Sequence, residues 1–197
     1  MHELIGDKLQ QLFMIGGISK QIPDPQYDVL VELVKTASVP NMKVIEIGSW
    51  TGLSAVIMGQ CIQRMKGTLY CVDHFKGSPN GAEHLLETAK VCNIKEKFLS
   101  NISLFNLNDT VVLYEKSSQD AVTLFEDNSY DMIFIDGDHS PKGIASDIAS
   151  YYSKLKVGGI FCGHDFDLVK ETIVPIFKTL TVIEDIWYLR KEQDYGI

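Results

Sequence analysis

VIEIGSWTG, residues 44–52, combines an apolar strand that ends in Glu46, a turn on Gly48 and a helix that opens near Thr51. Parallel sheets bind ligands just beyond such strand ends, where the first crossover helix presents unpaired N–H groups. The turn is therefore expected to face a small molecule. A dinucleotide would call for a second glycine two residues after the first, so that the backbone can approach a pyrophosphate. Trp50 stands there instead, which argues for a ligand that lacks one. Read alone, the pattern also fits a plain chain reversal between a strand and a helix.

On either side of this turn, strand-like and helix-like segments alternate from about Asn41 onward. Strands are expected at 43–47, 68–72, 110–114, 132–135 and 160–163, and helices at 51–65, from 82 to 93 or beyond, at 119–125 and at 144–155. Such alternation predicts a doubly wound, Rossmann-like α/β fold, a mostly parallel sheet covered on both faces. Two helices, 3–15 and 25–37, are expected before the first strand, covering the ligand end or an edge of the sheet. After a helix-like stretch at 168–180, two short strand-like pieces flank Glu184 and Asp185 and predict an antiparallel edge hairpin at the C-terminus. No linker divides the 197 residues, so one domain is expected, with a helical segment at 1–40 and the core at 41–197.

The formal charge is −8 with Lys and Arg spread thinly, which leaves no basic stripe for nucleic acid. No apolar run reaches the ~20 residues that span a bilayer, and residues 1–17 lack the marks of a secretory signal. A soluble, cytoplasmic protein is expected. Cys61, Cys71, Cys92 and Cys162 have neither metal-type spacing nor a secretory context and read as reduced core residues.

The expected strands end in ionisable residues: Glu46, then Asp73 and His74, then Asp136, Asp138 and His139, then His164 and Asp165. Strand ends line one crevice in this architecture, so these groups should converge. Asp73 follows Gly48 at a spacing where an acid can accept hydrogen bonds from ribose hydroxyls, which points to a nucleoside ligand; a loop cap is the plainer alternative.

These residues resemble the class I S-adenosylmethionine-dependent methyltransferases. VIEIGSWTG looks like the first motif of that family, CVDHF like its ribose-binding motif and KVGGIFCGHD like its fifth-strand motif, over about residues 41–165. The resemblance implies that Glu46 and Gly48 lie beside the methionine part of the cofactor and that Asp73 holds the ribose; His74, next to that acid, reads either as a lining of the adenosine pocket or, more commonly, as a partly exposed loop histidine. It also explains why Trp50 is tolerated in the turn.

A closer likeness is to metal-dependent small-molecule O-methyltransferases of the catechol and antibiotic-sugar types. KSSQDAVTLF is similar to the segment that places a Ser-Gln pair, here Ser118 and Gln119, at the adenine. Ser54 matches a position at the methionine carboxylate. Ser118 reads equally as a helix cap. MIFIDGDHS implies Asp136 as a cation ligand that also borders the cofactor, and His139 as the base that deprotonates a hydroxyl. Turn-making and capping would explain Asp138 and Ser140 without any chemistry.

The likeness puts further metal ligands at His164 and Asp165, but His164 departs from the pattern because magnesium prefers oxygen. Three readings follow: a softer ion such as manganese, iron or zinc, a second acid/base at His164, or no metal. The implied partner is a small-molecule acceptor, with a homodimer as a further expectation. An NAD-dependent oxidoreductase and a non-catalytic nucleoside-binding protein are the alternatives. Tyr151, Tyr152 and Trp187 read as packing residues, and His2 and His84 are weaker candidates for any role.

Overall fold

A computed structural model describes residues 24–77 and 83–193. Its elements run α1 (Asp24–Thr36), β1 (Lys43–Ile47), α2 (Leu53–Arg64), β2 (Thr68–Val72), α3 (Glu83–Val91), α4 (Ile94–Leu104) and β3 (Val111–Tyr114). Then follow α5 (Ser118–Ala121), β4 (Tyr130–Ile135), α6 (Pro141–Tyr151), β5 (Leu155–Gly163), α7 (Phe166–Ile176), β6 (Thr181–Ile183) and β7 (Ile186–Arg190). The strands form one seven-stranded sheet in the order β3-β2-β1-β4-β5-β7-β6. Pairings from β3 to β5 are parallel, and β7 runs antiparallel to both β5 and β6. The order reverses between β1 and β4, the point at which sheets of this type open a ligand crevice.

Side chains alternate along each strand, so the central strands feed two cores. Val44 of β1 and Met132 and Phe134 of β4 join one cluster with Leu30 and Val34 of α1, Val56 of α2 and Phe98 of α4. Ile45, Ile47, Ile133 and Ile135 join the other with Ile144 and Ile148 of α6 and Ile173 of α7. Leu30 and Val34 are fully buried, each contributing on the order of 1.5–3 kcal/mol. Glu46 shares its face with Val44 and thus lies beneath α2. Helix α1 packs on α2 over the face of the sheet, not along an edge, and its start reaches the strand ends, where Gln26 meets His164.

Element ends differ from the sequence expectation where local chemistry overrides periodicity. Helix α6 begins at Pro141, behind the Ser140 cap, because a proline at the first position gives up only an N–H that has no partner there. It stops at Tyr151, and β5 starts at Leu155, paired with Tyr130 across an irregular register. The expected helix after residue 82 is two helices, broken at Asn93, whose side chain accepts from Glu96 N (3.1 Å) and caps α4. Helix α7 ends at Ile176, one residue after Pro175. The edge hairpin turns at Glu184 and Asp185, both at positive φ (51° and 69°), as a two-residue loop requires when its twist matches the strands. The expected helix at 3–15 and His2 lie outside the described residues, as does the side chain of His84. All four cysteines are free, and no helix among the described residues is long and apolar enough to cross a membrane.

Candidate active site

Gly48 sits at φ 84°, and a Cβ there would stand 2.1 Å from the carbonyl oxygen of Asp136. Only glycine meets both demands, so the turn after β1 rests directly on the end of β4. Asp73, at the end of β2, organises that turn. Its Oδ2 accepts the backbone N–H groups of Ser49 (2.9 Å) and Trp50 (2.7 Å), and its Oδ1 accepts that of Phe75 (2.6 Å). A carboxylate offers about four acceptor positions, which leaves one on Oδ1 for a ligand hydroxyl. Trp50 itself has φ 45° and packs against the first core.

Glu46 is fully buried below the turn. Its Oε2 accepts from Ser49 Oγ (2.6 Å) and Cys71 Sγ (3.2 Å), while Oε1 has no partner. Burial lifts its pKa to about 7, against the opposing pull of Ser49, Ser54 and Cys71. Ser54, in the first turn of α2, is thus a neighbour of this carboxylate and almost fully buried. A cationic group seated above Glu46 would find Oε1 free to accept from it.

The cluster after β4 and β5 unites Asp136, His139, His164 and Asp165. His139 Nε2 lies 3.4 Å from Asp136 Oδ1 and 3.2 Å from Asp165 Oδ2. His164 Nδ1 lies 3.6 Å and 3.3 Å from the same two oxygens. Burial works against the charge on Asp136, yet the two rings outweigh it and lower its pKa. Burial likewise opposes charged rings, yet Asp136 and Asp165 raise His139 and lift His164 to about 10. His139 Nε2 is nevertheless buried without a hydrogen-bond partner. Spacings of 3.2–3.6 Å suit donors that share one ion at ~2.0–2.2 Å, so these residues could hold a divalent cation. The orphaned nitrogen and the mixed N/O donor set both fit such a group.

Two further residues join the cluster without any signal in the sequence. Gln26 of α1 places Oε1 2.7 Å from His164 Nε2, across 138 positions of chain. Trp187 of β7, read as a packing residue, is fully buried and also donates Nε1–H to the carbonyl of His164 (3.2 Å). A side chain at Gly163 would strike that indole at 2.3 Å, so glycine lets β7 close on β5. Asp138 and Ser140 follow the turn-and-cap reading: Asp138 accepts from Ser140, and Ser140 Oγ accepts from Gly143 N (3.1 Å).

The Ser118-Gln119 pair stands differently from its expectation. The cap of α5 is Ser117, which accepts from Asp120 N (3.2 Å). Ser118 Oγ (2.5 Å) and Gln119 Nε2 (3.1 Å) both donate to Asp147 Oδ1 on α6, and Gln119 Oε1 accepts from Ser150. Burial raises the pKa of Asp147, and these two donors moderate the rise. Their side chains are therefore committed to α6 in this structure. Beside them, a cavity of about 390 Å³ is lined by His74, Lys76, Glu115, Lys116, Ser117 and Asp120 at the ends of β2 and β3. His74 is among its lining residues, and Ser118 and Gln119 are not.

No curated protein sequence matches the chain. Solved structures share its fold at low identity. An O-methyltransferase from Bacillus cereus in complex with S-adenosylhomocysteine is 15% identical (TM-score 0.63, covering 92% of this chain and 89% of that one). The O-methyltransferase TomG from Streptomyces achromogenes, involved in tomaymycin synthesis and solved with S-adenosylmethionine, is 13% identical (TM-score 0.61, 85% and 79%). An rRNA methylase from Streptococcus thermophilus is 14% identical (TM-score 0.59, 88% and 99%), so the fold by itself does not set the acceptor. A family model described as a methyltransferase domain matches residues 45–166, which span the Gly48 turn, Asp73 and the cluster as far as Asp165. On that match over more than half of its length, this chain belongs to the methyltransferase-domain family.

Proposed function

We propose that this protein transfers a methyl group from S-adenosylmethionine to a hydroxyl of a small molecule, with a divalent cation at the Asp136 cluster. One observation carries the reading: the Gly48 turn and Asp136 are in direct contact, so a cofactor on the turn would present its methyl group to the ionisable cluster. Fold neighbours solved with S-adenosylmethionine and S-adenosylhomocysteine support the cofactor. Membership in a methyltransferase family leaves the NAD-dependent alternative without support.

In this reading Glu46 receives the methionine ammonium, and the free acceptor position of Asp73 receives a ribose hydroxyl. The cavity at His74 takes the adenosine end. Asp136, Asp165 and His164 hold the cation, which when bound supplies positive charge that acidifies a nearby hydroxyl and offsets the carboxylate field on His139. His139 accepts the hydroxyl proton at Nε2 as the oxygen–methyl bond forms and the carbon–sulfur bond breaks. Holding oxygen, carbon and sulfur in line supplies much of the rate. The net charge of −8 and the absence of a basic stripe favour a small acceptor over a nucleic acid.

Thermal unfolding with S-adenosylhomocysteine tests the cofactor: saturation at 100 times Kd should stabilise the fold by ~2.7 kcal/mol. Methyl transfer to a panel of phenols, sugars and hydroxy acids tests the chemistry. His139→Ala should lower the rate about 10²–10⁴-fold and leave S-adenosylhomocysteine affinity within a few-fold. No stabilisation at saturating ligand would sink the cofactor reading, and an unchanged rate would remove His139 as the base.

A further inference from the structure

We propose that Gln26 is a positioning residue: its amide oxygen holds His164 in the tautomer whose Nδ1 faces Asp136 and Asp165, which makes that nitrogen a ligand and steers the site toward a transition-metal ion rather than magnesium. The proposal rests on the metal-assisted reading above and extends it to a residue that precedes the sheet.

Gln26 and His164 are both buried, and Gln26 Oε1 stands 2.7 Å from His164 Nε2. An amide oxygen only accepts, so Nε2 carries the proton, and the lone pair of the neutral ring lies at Nδ1. That lone pair points at two carboxylate oxygens, 3.6 Å and 3.3 Å away. Either a proton on Nδ1 or a cation among these atoms makes the arrangement attractive, and a bound ion would take the place of that proton. Metal-ligating histidines almost always donate their other N–H to a carbonyl or carboxylate, which fixes the ring and raises its basicity. Gln26 supplies that carbonyl from α1.

The backbone of His164 is fixed as well, its N–H on Ile135 O (3.1 Å) and its carbonyl on the Trp187 indole. The ring therefore has little freedom to turn Nδ1 elsewhere. Imidazole nitrogen suits zinc, iron, cobalt or nickel, whereas magnesium selects oxygen.

Cobalt(II) is the probe, followed by calorimetry and by its visible absorption, with S-adenosylhomocysteine affinity measured in parallel. The wild-type protein should bind cobalt(II) with visible bands that excess magnesium does not remove. Gln26→Leu should weaken cobalt binding about 10–100-fold, Gln26→Glu should restore it by offering an acceptor again, and neither should change S-adenosylhomocysteine affinity. Equal cobalt affinity in wild type and Gln26→Leu overturns the positioning role while the metal reading stands. No cobalt binding by wild type overturns both, and the cofactor reading still stands or falls on S-adenosylhomocysteine alone. Should Gln26→Leu fail to fold, long-range ¹H–¹⁵N spectra of wild type with zinc(II) decide the matter. Retained Nε2–H with a shifted Nδ1 supports the proposal, and a proton on Nδ1 overturns it.

Discussion

The turn after β1 and the cluster after β4 and β5 touch one another, yet they are assembled on opposite plans. In the turn, Asp73 satisfies three backbone N–H groups at once and binds the loop to its own strand end. In the cluster, the ionisable atoms stand 3.2–3.6 Å apart and His139 Nε2 is buried without a partner. The cluster is instead fixed from outside, by Gln26 on one ring nitrogen and Trp187 on a carbonyl. The turn is closed by its own hydrogen bonds, whereas the cluster brings its ionisable groups together on a frame supplied by other elements. Damage to the first should appear as lost stability, and damage to the second as lost chemistry.

Gly48→Ala is the severest way to break the turn. It places a Cβ on the Asp136 carbonyl and forces a non-glycine residue to φ 84°, so urea unfolding should show a loss of at least ~3 kcal/mol. A loss under ~1 kcal/mol would mean that β1 and β4 do not meet as described.

Glu46 gives the next effect, with a sign set by its raised pKa. The folded state prefers the neutral carboxyl, so its contribution is complete below the ordinary value of 4.5 and is lost as pH rises through about 7. By pH 8 the charged group costs on the order of 3 kcal/mol. Glu46→Gln removes that dependence. It should match the parent near pH 4.5 and exceed it in stability at pH 8, as unfolding curves at the two pH values will show; a constant difference would deny the burial effect.

Asp165→Asn should have the smallest effect on stability, under about 1 kcal/mol, because asparagine tolerates the φ of 53° found there and the side chain is partly exposed. Cobalt binding and methyl transfer should still fall. A variant that unfolds instead would merge the two regions into one structural unit.

Much of the sheet was legible because its signals are local. Continuous apolar character at 132–135, β-branched residues at 43–47 and the pair Glu184-Asp185 each carry their own reason to be strand or turn. Helix ends were less legible, because Pro141 and Pro175 act through single backbone groups that periodicity averages away. Helix α4 was hidden by polar residues, although Asn93 followed by Glu96 carries the pattern of a capping box. In the site, Asp136, His139, His164 and Asp165 come together as their strand-end positions implied, whereas His74 lines a separate cavity and Asp138 shapes a turn. Contacts made across the fold left no trace: nothing near Gln26 points to His164, and nothing near Ser118 points to Asp147.

The hold on His164 also sets an order of events during synthesis. Its ring is fixed by a residue 138 positions earlier, and its carbonyl by one 23 positions later on β7, which must insert between β5 and β6. The contact to Gln26 spans most of the chain, and contacts so distant in sequence form late in folding. A nascent chain that has emerged only as far as Asp165 would carry the Gly48 turn, Asp73 and Asp136 and still lack the indole that holds the His164 carbonyl. The hold on the histidine would be completed last, when Trp187 closes behind it.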